Sequence, residues 1–423
     1  MSDNQLDERD IAHRDVDITE AKSEEVYRDT YGREWTPPTF TMKEIYEAIP
    51  AHCFERSNLH SYMFVARDFF YIICLGLAAS QIYRLESAAL RFLAWTVYSI
   101  LQGMVGTGIW VLAHECGHQA FSPSKTINDA TGWVLHSFLL VPYFSWKFSH
   151  GTHHKNTGNL DRDMVFVPKS KSEKIANKGA NPAEFAEEHN ENGFLHLVEE
   201  TPLATFSNVL VQQLFGWPMY LFTDVTAGPK YPDVPKHKIN HFHPDSPLYR
   251  PEQFWAIVAS DIGVGLTLTA LYFAAQTFGW ANVALYYGVP YLWVNHWLVM
   301  ITFLQHTDPS LPHYRGKAWN FARGAAATID RDFGFIGRHI FHGIIEYHVA
   351  HHYISRIPFY HGEEATNAIR KVIGEHYMRD DTNFFLALWR SARMCQWVAD
   401  KGEIVFFQNA NGLGAGGKKA KAQ

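Results

Sequence analysis

Four stretches of this chain are apolar over lengths that match the hydrocarbon layer of a membrane. They cover residues 62–80, 88–113, 254–279 and 281–304. A helix needs about 20 mostly apolar residues to cross the roughly 30 Å of hydrocarbon. Four such stretches, in two adjacent pairs separated by a polar middle, favour membrane spans over the buried core helices of a large soluble protein. The sequence therefore predicts an all-α integral membrane protein with about four transmembrane helices.

Two further apolar segments are too short or too interrupted to be spans. Residues 132–146 contain Pro142, and residues 206–227 contain Pro218. Proline removes a backbone donor and disturbs a helix, which is costly in the hydrocarbon layer. We therefore expect both segments to form interfacial or re-entrant helices.

The polar ends of the chain flank the predicted membrane domain, which covers residues 61–400. Residues 1–60 are polar, lack a stretch of signal-peptide type and are expected to form a solvated cytosolic arm. Residues 401–423 are expected to form a flexible tail. In that tail, Lys419 and Lys421 have the spacing of a dilysine retrieval signal for the endoplasmic reticulum, although a solvated basic tail explains them equally well. The net charge of -6 gives no reason to propose nucleic-acid binding.

Nine histidines accompany these apolar stretches in a repeated pattern. They occur in HECGH at 114–118, in HGTHH at 150–154, in HVAHH at 348–352 and once alone behind the fourth apolar run. Histidines three or four residues apart share a helix face and can reach one metal. With a cytosolic amino terminus, the four spans place every motif on the cytosolic side. The predicted metal ligands are His114, His118, His150, His153, His154, His306, His348, His351 and His352.

Nine imidazoles exceed the ligand number of a single metal, since tetrahedral zinc takes four ligands and octahedral iron takes six. Two metals are therefore predicted, with four or five nitrogens each. A pair of irons fits best, because nitrogen-rich sites with open positions suit oxygen activation, although copper or zinc is compatible with the ligand type. Four carboxylates near the motifs are candidates to orient imidazole N–H groups, and a surface salt bridge explains each equally well: Glu115, Asp129, Asp163 and Glu346. Among the remaining histidines, His342 is a further candidate for a side chain that supports the metal ligands. His237 is expected to be a surface residue.

The residues around these histidines resemble the membrane fatty acyl desaturases. The resemblance is carried by HECGHQAFSPSKTINDATGWVLHS, SHGTHHKNTGNLDRDMVFVPK, FLQHTDPSLPHY and HVAHHYISRIPFYH, and it runs from about Trp35 to about Trp397. The stretches RDMVFVPK and QHTDPSLPHY narrow it to the fungal and plant acyl-lipid enzymes that act at the Δ12 position of oleoyl chains.

This resemblance implies a four-span membrane domain with a cytosolic helical cap that holds two iron ions through the nine histidines. It also implies dioxygen as oxidant, the acyl chain of a membrane phospholipid as substrate, and cytochrome b5 with its reductase as electron donors. The enzyme would be a multi-pass protein of the endoplasmic reticulum membrane, with its active site and both termini in the cytosol. The chain departs from the acyl-CoA branch of the superfamily at Thr302, where that branch has an asparagine, so the residue that completes the second iron is left open.

Two surfaces follow from the implied reaction. An acidic electron donor needs a basic patch, for which the candidates are Arg162, Lys169, Lys171 and Lys174. An unactivated methylene offers no hydrogen bond, so a long apolar tunnel must position it. Candidate tunnel walls, which ordinary helix packing also explains, are Trp110, Trp133, Trp293, Gly103, Gly106 and Gly108.

Rival functions remain open on the sequence alone. The same scaffold serves ω-3 or Δ15 desaturases, bifunctional Δ12/Δ15 desaturases, and fatty acyl hydroxylases or epoxygenases, which histidine motifs do not separate. A different class is a membrane metal transporter or sensor, which predicts histidines or carboxylates along a path through the spans. Asp68, Asp261 and His296 are the notable intramembrane candidates, whereas the histidine motifs gather at span ends.

Overall fold

The computed structural model describes residues 27–176, 201–226, 231–410 and Leu413. Long helices form a bundle, and shorter helices and strands form a cap at one end of it. The helices are α1 Met42–Ala48, α2 Asn58–Ala79, α3 Ala88–Gly117, α4 Lys125–Phe138, α5 Tyr143–Asn156, α6 Lys171–Ala176, α7 Pro202–Thr223, α8 Phe254–Phe278, α9 Trp280–Val283, α10 Val289–His306, α11 Phe321–Ala326, α12 His348–Tyr353, α13 Gly362–Ile373 and α14 Phe384–Met394.

Short turns and strands connect these helices. The 3-10 turns are Ala51–Phe54, Ile82–Arg84, Lys236–Lys238, Pro251–Gln253, Gly316–Ala318, Phe359–His361 and Gly374–His376, and the π-helical turns are Ala284–Gly288 and Ile336–Ile340. The strands are β1 Tyr27–Arg28, β2 Glu34–Trp35, β3 His313–Tyr314, β4 Asp330–Arg331, β5 Arg379–Asp380, β6 Trp397–Val398, β7 Ile404–Val405 and β8 Phe407–Gln408. Pairs β1–β2, β3–β7 and β6–β8 are antiparallel, and β4–β5 is parallel.

Serine side chains fix where several long helices begin. The hydroxyl oxygens of Ser57, Ser87 and Ser124 accept hydrogen bonds from the backbone N–H groups three residues later. Each bond satisfies a donor that the first helical turn leaves unpaired. These caps set the starts of α2, α3 and α4.

Three helical segments in the described part of the chain are long and apolar enough to cross a membrane: Asn58–Arg84, Ala88–Gly117 and Pro251–Phe278. Their burial differs. In the most apolar window of each, 67% of α3 is buried, against 11% of α2 and 22% of the segment containing α8. In the bundle α3 is therefore the central helix, while α2 and α8 present large apolar side chains outward, as a lipid environment requires.

The fourth predicted span, 281–304, is helical but less apolar. Helix continues from Trp280 to His306 through the π-helical turn at Ala284–Gly288, and it includes the buried Asn295. This helix is not among the three that length and composition identify as membrane-crossing. The count of four spans and the cytosolic position of the cap therefore stay predictions.

The two segments expected to be interfacial are also helical. Residues 132–146 belong to α4 and α5, which meet at a turn containing Pro142. Residues 206–223 belong to α7, which continues through Pro218 instead of breaking there. Neither segment is among the three membrane-crossing candidates.

The described parts of both chain ends are packed, which differs from the expected solvated arm and flexible tail. In α1, Met42 and Ile45 are buried against Ile369 of α13. Near the other end, β7 pairs with β3, and Phe406 and Phe407 are buried. Apolar residues within these polar ends therefore join the core of the cap. The predicted signal at Lys419 and Lys421 lies outside the described residues.

Glycine allows α3 to approach α10 closely. A Cβ atom at Gly103 would overlap the Cβ of Trp293 and lie 3.0 Å from the carbonyl oxygen of Pro290, and one at Gly106 would lie 2.8 Å from Val294 Cγ2. Small residues at helix contacts are a common means of packing membrane helices. Two of the predicted tunnel walls, Gly103 and Gly106, therefore lie at a helix–helix contact.

We expect Gly103→Ala to destabilise the bundle, whereas Gly76→Ala should not. A Cβ at Gly103 must displace backbone, which typically costs about 1–3 kcal/mol. Gly76 lies on α2 with nothing within 4 Å of an added Cβ. The measurement is the thermal unfolding midpoint of both variants in the same detergent, and equal midpoints would contradict the close contact.

Candidate metal centre

Five histidines form one group at the junction of bundle and cap, here called the first cluster. Its members are His114, His118, His150, His154 and His351. One ring nitrogen from each lies within 4.8 Å of the corresponding nitrogen of every other member. The first pair ends α3, the second pair lies on α5, and the fifth histidine lies on α12. In α3 and α5 the spacing of four residues places both rings on one helix face, as predicted.

The other four histidines form the second cluster. His153, His306 and His352 each offer a ring nitrogen within 4.8 Å of the others. His348 joins them, because its Nε2 atom lies 3.0 Å from Nε2 of His306. Nε2 of His153 lies 3.4 Å from the same atom. The isolated histidine of the sequence is therefore at the middle of this cluster.

The adjacent histidine pairs serve both clusters. Successive residues of an α-helix point about 100° apart, so neighbours cannot face one metal equally. His154 joins the first cluster and His153 the second. On α12, His351 joins the first and His352 the second. The clusters are adjacent as a result, since the rings of His154 and His352 stack with centroids 4.0 Å apart.

Burial favours the neutral form of several of these imidazoles. Burial, with smaller contributions from neighbouring imidazoles, lowers the pKa of His154 and His352 well below the ordinary value. Burial likewise lowers the pKa of His351 to about 3. A neutral imidazole has a free lone pair, which is the form that binds a metal.

Several ring nitrogens in the clusters lack a hydrogen-bond partner. Nε2 of His118, His351 and His352 is buried with no partner among the described residues. Buried polar atoms are normally paired, and each exception needs an explanation. A metal ion in each cluster would accept these lone pairs, so the residues present fit two metal ions with nitrogen ligands.

Polar groups orient two of the rings from the side that faces away from the cluster centre. Nδ1 of His153 donates to Asp163 Oδ1 at 2.7 Å, as predicted for that carboxylate. Nδ1 of His352 lies 3.1 Å from the hydroxyl of Thr157, which itself donates to the carbonyl oxygen of His153. Both contacts leave Nε2 free to face the cluster centre. Asp163 is buried, and this burial raises the pKa of its carboxyl group despite the opposing effect of His153.

Glu115 and two aromatic rings complete the surroundings of the clusters. Oε1 of Glu115 lies 3.3 Å from His114 Nδ1, and Oε2 accepts the backbone N–H of Phe359 at 3.2 Å. The ring of Trp146 stacks on His150 with centroids 4.5 Å apart, and Phe166 stacks on His306 at 5.1 Å. Packing therefore holds these imidazoles in fixed orientations.

Two predicted supporting residues lie elsewhere. Asp129 forms ion pairs with Lys125 and Lys147, both at 2.5 Å. The hydroxyl of Thr302 donates to the carbonyl oxygen of Leu298 at 2.8 Å. Within the described residues, neither side chain has a hydrogen bond or ion pair with any of the nine histidines.

The other two predicted supporting residues are also engaged elsewhere. Nε2 of His342 lies 2.8 Å from Asp68 Oδ2, which connects the cap to α2. Glu346 accepts the backbone N–H of Phe333 at 3.0 Å, and burial raises the pKa of Glu346 to about 7. In the described part of the chain, neither contacts one of the nine rings by a hydrogen bond or ion pair.

Sequence reasoning missed two supporting residues. Thr157 stands four residues after His153, so helical spacing alone places it beside the motif. Asp330 is buried and accepts the backbone N–H of Val349 at 2.7 Å and the hydroxyl of Tyr377 at 2.6 Å. No sequence spacing links Asp330 to the HVAHH motif, because the contact depends on packing within the cap.

The fatty acid desaturase family profile matches residues 91–384, which include all nine histidines. The chain belongs to the fatty acid desaturase family. It is therefore an oxidoreductase that acts on fatty acyl chains, and the resemblance predicted from its motifs is confirmed. The match extends from the first turn of α3 to the start of α14.

Individual fatty acid desaturase relatives match most of the chain. It is 50% identical to the Delta(12) fatty acid desaturase of Mortierella alpina over 381 residues, covering 90% of this chain and 94% of the relative. It is 48% identical to an oleate hydroxylase of Claviceps purpurea over 429 residues, covering 94% of this chain and 87% of the relative. It is 43% identical to the endoplasmic reticulum omega-6 fatty acid desaturase of Brassica juncea over 364 residues, covering 86% of this chain and 88% of the relative.

We expect Asp163→Asn to weaken iron retention by about 10- to 100-fold, the usual effect of removing a group that orients a ligand. The charge that holds His153 Nδ1–H would be lost, while the size of the side chain is kept. Asp161→Asn is the matched control, because Asp161 lies in the same loop and its carboxylate accepts the exposed backbone N–H of Gly316 at 3.2 Å. Iron content after dialysis against a chelator measures the effect, and equal retention in both variants would contradict it.

Proposed function

We propose that this fatty acid desaturase is a Δ12 desaturase that converts oleoyl to linoleoyl chains of membrane phospholipids, using two iron ions. The observation that carries the proposal is the division of nine imidazoles into two adjacent groups of five and four. The Δ12 position rests on similarity to relatives named Delta(12) fatty acid desaturase.

The reaction must balance four electrons. One dioxygen is reduced to two waters, which takes four electrons and four protons. The acyl chain supplies two hydrogens, and therefore two electrons and two protons, as its single C–C bond becomes a double bond. An external donor and the solvent supply the other two electrons and two protons. Two bound iron ions would supply the oxygen-activating redox chemistry.

The chain itself contributes ligands, orientation and exclusion of water. Neutral imidazoles provide the lone pairs, and Asp163 and Thr157 hold two rings in the ligating orientation. The clusters begin at the end of α3, where Leu112 and Ala113 are fully buried. We infer that an acyl chain reaches the clusters from the membrane along apolar walls that include Trp110, whose ring stacks on His114.

The other predicted tunnel tryptophans have their own packing partners. The indole N–H of Trp133 donates to the carbonyl oxygen of Ala259 at 2.8 Å, and that of Trp293 donates to the Ser99 hydroxyl at 3.1 Å. These bonds tie α4 to α8 and α10 to α3. The course of the substrate tunnel is therefore proposed only near Trp110.

We infer that cytochrome b5 and its reductase supply the two external electrons. Arg162 and Lys169 are exposed and follow the HGTHH motif closely in sequence, so they are suited to an acidic partner. The guanidinium of Arg162 also stacks on Trp319 at 4.7 Å, which leaves its charge at the surface. We propose a multi-pass protein of the endoplasmic reticulum membrane, with the clusters and both termini on the cytosolic side.

An oleate hydroxylase is the second candidate. The Claviceps purpurea relative of that name is 48% identical and covers 94% of this chain. Desaturation and hydroxylation share a metal centre and differ in how the chain is positioned, so the two names indicate related chemistry on one substrate. We favour desaturation because several relatives with that name, from fungi and plants, match over most of the chain.

Product analysis separates the candidates. The full chain is expressed in a yeast that makes no polyunsaturated lipids, and fatty acid methyl esters are analysed by gas chromatography with mass spectrometry. The proposal expects linoleate from oleate, and none from a His351→Ala control. A hydroxylated product without linoleate would support the second candidate. Trienoic acids would indicate Δ15 activity, and the absence of every new product despite normal protein levels would contradict the proposal.

A further inference from the structure

A third group of metal-binding side chains lies on the surface of the cap, here called the peripheral cluster. It contains His52 and Cys53 from the 3-10 turn Ala51–Phe54, His361 from the turn Phe359–His361, and Glu364 from α13. One ligand atom from each residue lies within 4.8 Å of the others. None of the four belongs to the first or second cluster, so this group is separate from the proposed iron centre.

The spacing within the peripheral cluster suits one small ion. Cys53 Sγ lies 3.8 Å from His52 Nε2, and that nitrogen lies 2.7 Å from Glu364 Oε2. The rings of His52 and His361 meet edge to face with centroids 5.6 Å apart. Zinc binds sulfur at about 2.3 Å and nitrogen at about 2.0–2.1 Å in a tetrahedron, which places neighbouring ligand atoms about 3.3–3.6 Å apart. The observed separations of 2.7 and 3.8 Å lie on either side of that spacing.

The position of each ligand is fixed differently. Cys53 is fully buried, and its backbone N–H donates to the carbonyl oxygen of Pro50 at 2.9 Å. The side chains of His52 and Glu364 are 52% and 50% exposed. The thiol therefore forms a fixed inner wall, and the exposed ligands leave an entry path for an ion from solvent.

We propose that the peripheral cluster is a zinc site. A thiolate, two imidazoles and a carboxylate form a donor set suited to tetrahedral zinc, whereas the nitrogen-only clusters suit iron. An ion pair between His52 and Glu364 would account for their contact, but it needs neither Cys53 nor His361. Zinc would link two parts of the cap: the segment that precedes α2, and helix α13. Helix α13 in turn packs against α12, which carries three of the nine histidines.

Cobalt substitution tests this site independently of the iron centre. The full-length, iron-loaded protein in detergent is titrated with Co²⁺, and the near-ultraviolet charge-transfer absorption of a thiolate–cobalt bond is recorded. The first and second clusters contain only histidine, so they cannot produce this signal. We expect one thiolate-bound cobalt per chain, displaced by zinc. A wild-type protein without the thiolate–cobalt absorption would overturn the proposal whether or not the enzyme is active.

Single-residue variants identify the side chains that produce the thiolate–cobalt absorption. Cys53→Ser should abolish it, and Cys74→Ser, at an exposed position on α2, should retain it. Because Cys53 is buried, its replacement can also affect folding. Glu364→Gln, at a half-exposed position, provides a second variant and should weaken cobalt binding at least about tenfold. A signal that survives Cys53→Ser, or unchanged cobalt affinity in Glu364→Gln, would overturn the proposal.

Discussion

Replacement of His306 by alanine is expected to reduce linoleate formation at least about 100-fold, the upper end of the effect seen for groups that only orient metal ligands. Nε2 of His306 lies within 3.4 Å of the corresponding atoms of both His153 and His348. Its loss leaves the second cluster with three imidazoles and without the central one, so we expect this cluster to bind its iron more weakly. The measurement is linoleate per unit of protein in the yeast assay.

His237→Ala is the control for this experiment. His237 is exposed in the 3-10 turn Lys236–Lys238 and is distant in sequence from every histidine motif. We expect its linoleate yield to remain near that of the unaltered chain. Substantial linoleate from His306→Ala at normal protein level would contradict its assignment as a ligand.

Replacement of Arg331 by methionine should lower the free energy of unfolding by about 3–5 kcal/mol, the usual cost of removing one partner of a buried ion pair. Arg331 is only 1% exposed. Its guanidinium pairs with Asp308 at 3.0 Å and with Asp380, and it donates to the carbonyl oxygen of Leu304 at 2.8 Å. Within the described residues, Asp308, 4% exposed, would keep only Arg390, at 3.3 Å, as a charged partner.

Arg338→Met is the matched control, because its ion pair with Asp332 at 2.9 Å is exposed. Exposed pairs contribute about 0–1 kcal/mol. Denaturant unfolding of both variants in one detergent measures the difference. If the two variants unfold at the same denaturant concentration, the buried network does not carry the expected stability.

The grouping of the histidine motifs could be predicted because it depends on local helix geometry. The four-residue spacing of His114 and His118 places both on one face of α3, and the structure brings them into one cluster. The division of adjacent histidines between two clusters follows from the same rotation per residue. The ion pair of Asp129 with Lys125 also follows from four-residue spacing, and it explains why Asp129 does not support a ligand.

The parts that sequence did not predict depend on contacts between distant residues. The partner of His342 is Asp68, which is 274 positions away. Strand β7 pairs with β3 although four helices, α11 to α14, lie between them in the chain, so the apparent tail could not be recognised as packed. The polar composition of this segment did not indicate packing, because a short segment needs only a few apolar residues to join a core.

Iron content per chain tests the central claim most directly. We expect about two irons in the purified protein, one for each cluster, and about one in the double variant His118→Ala/His150→Ala, which leaves three histidines in the first cluster and the second cluster unaltered. Metal analysis by mass spectrometry counts iron separately from zinc. Two irons retained in the double variant, or a properly folded wild-type protein that binds no iron when it is supplied, would contradict the assignment of two histidine clusters to two iron ions.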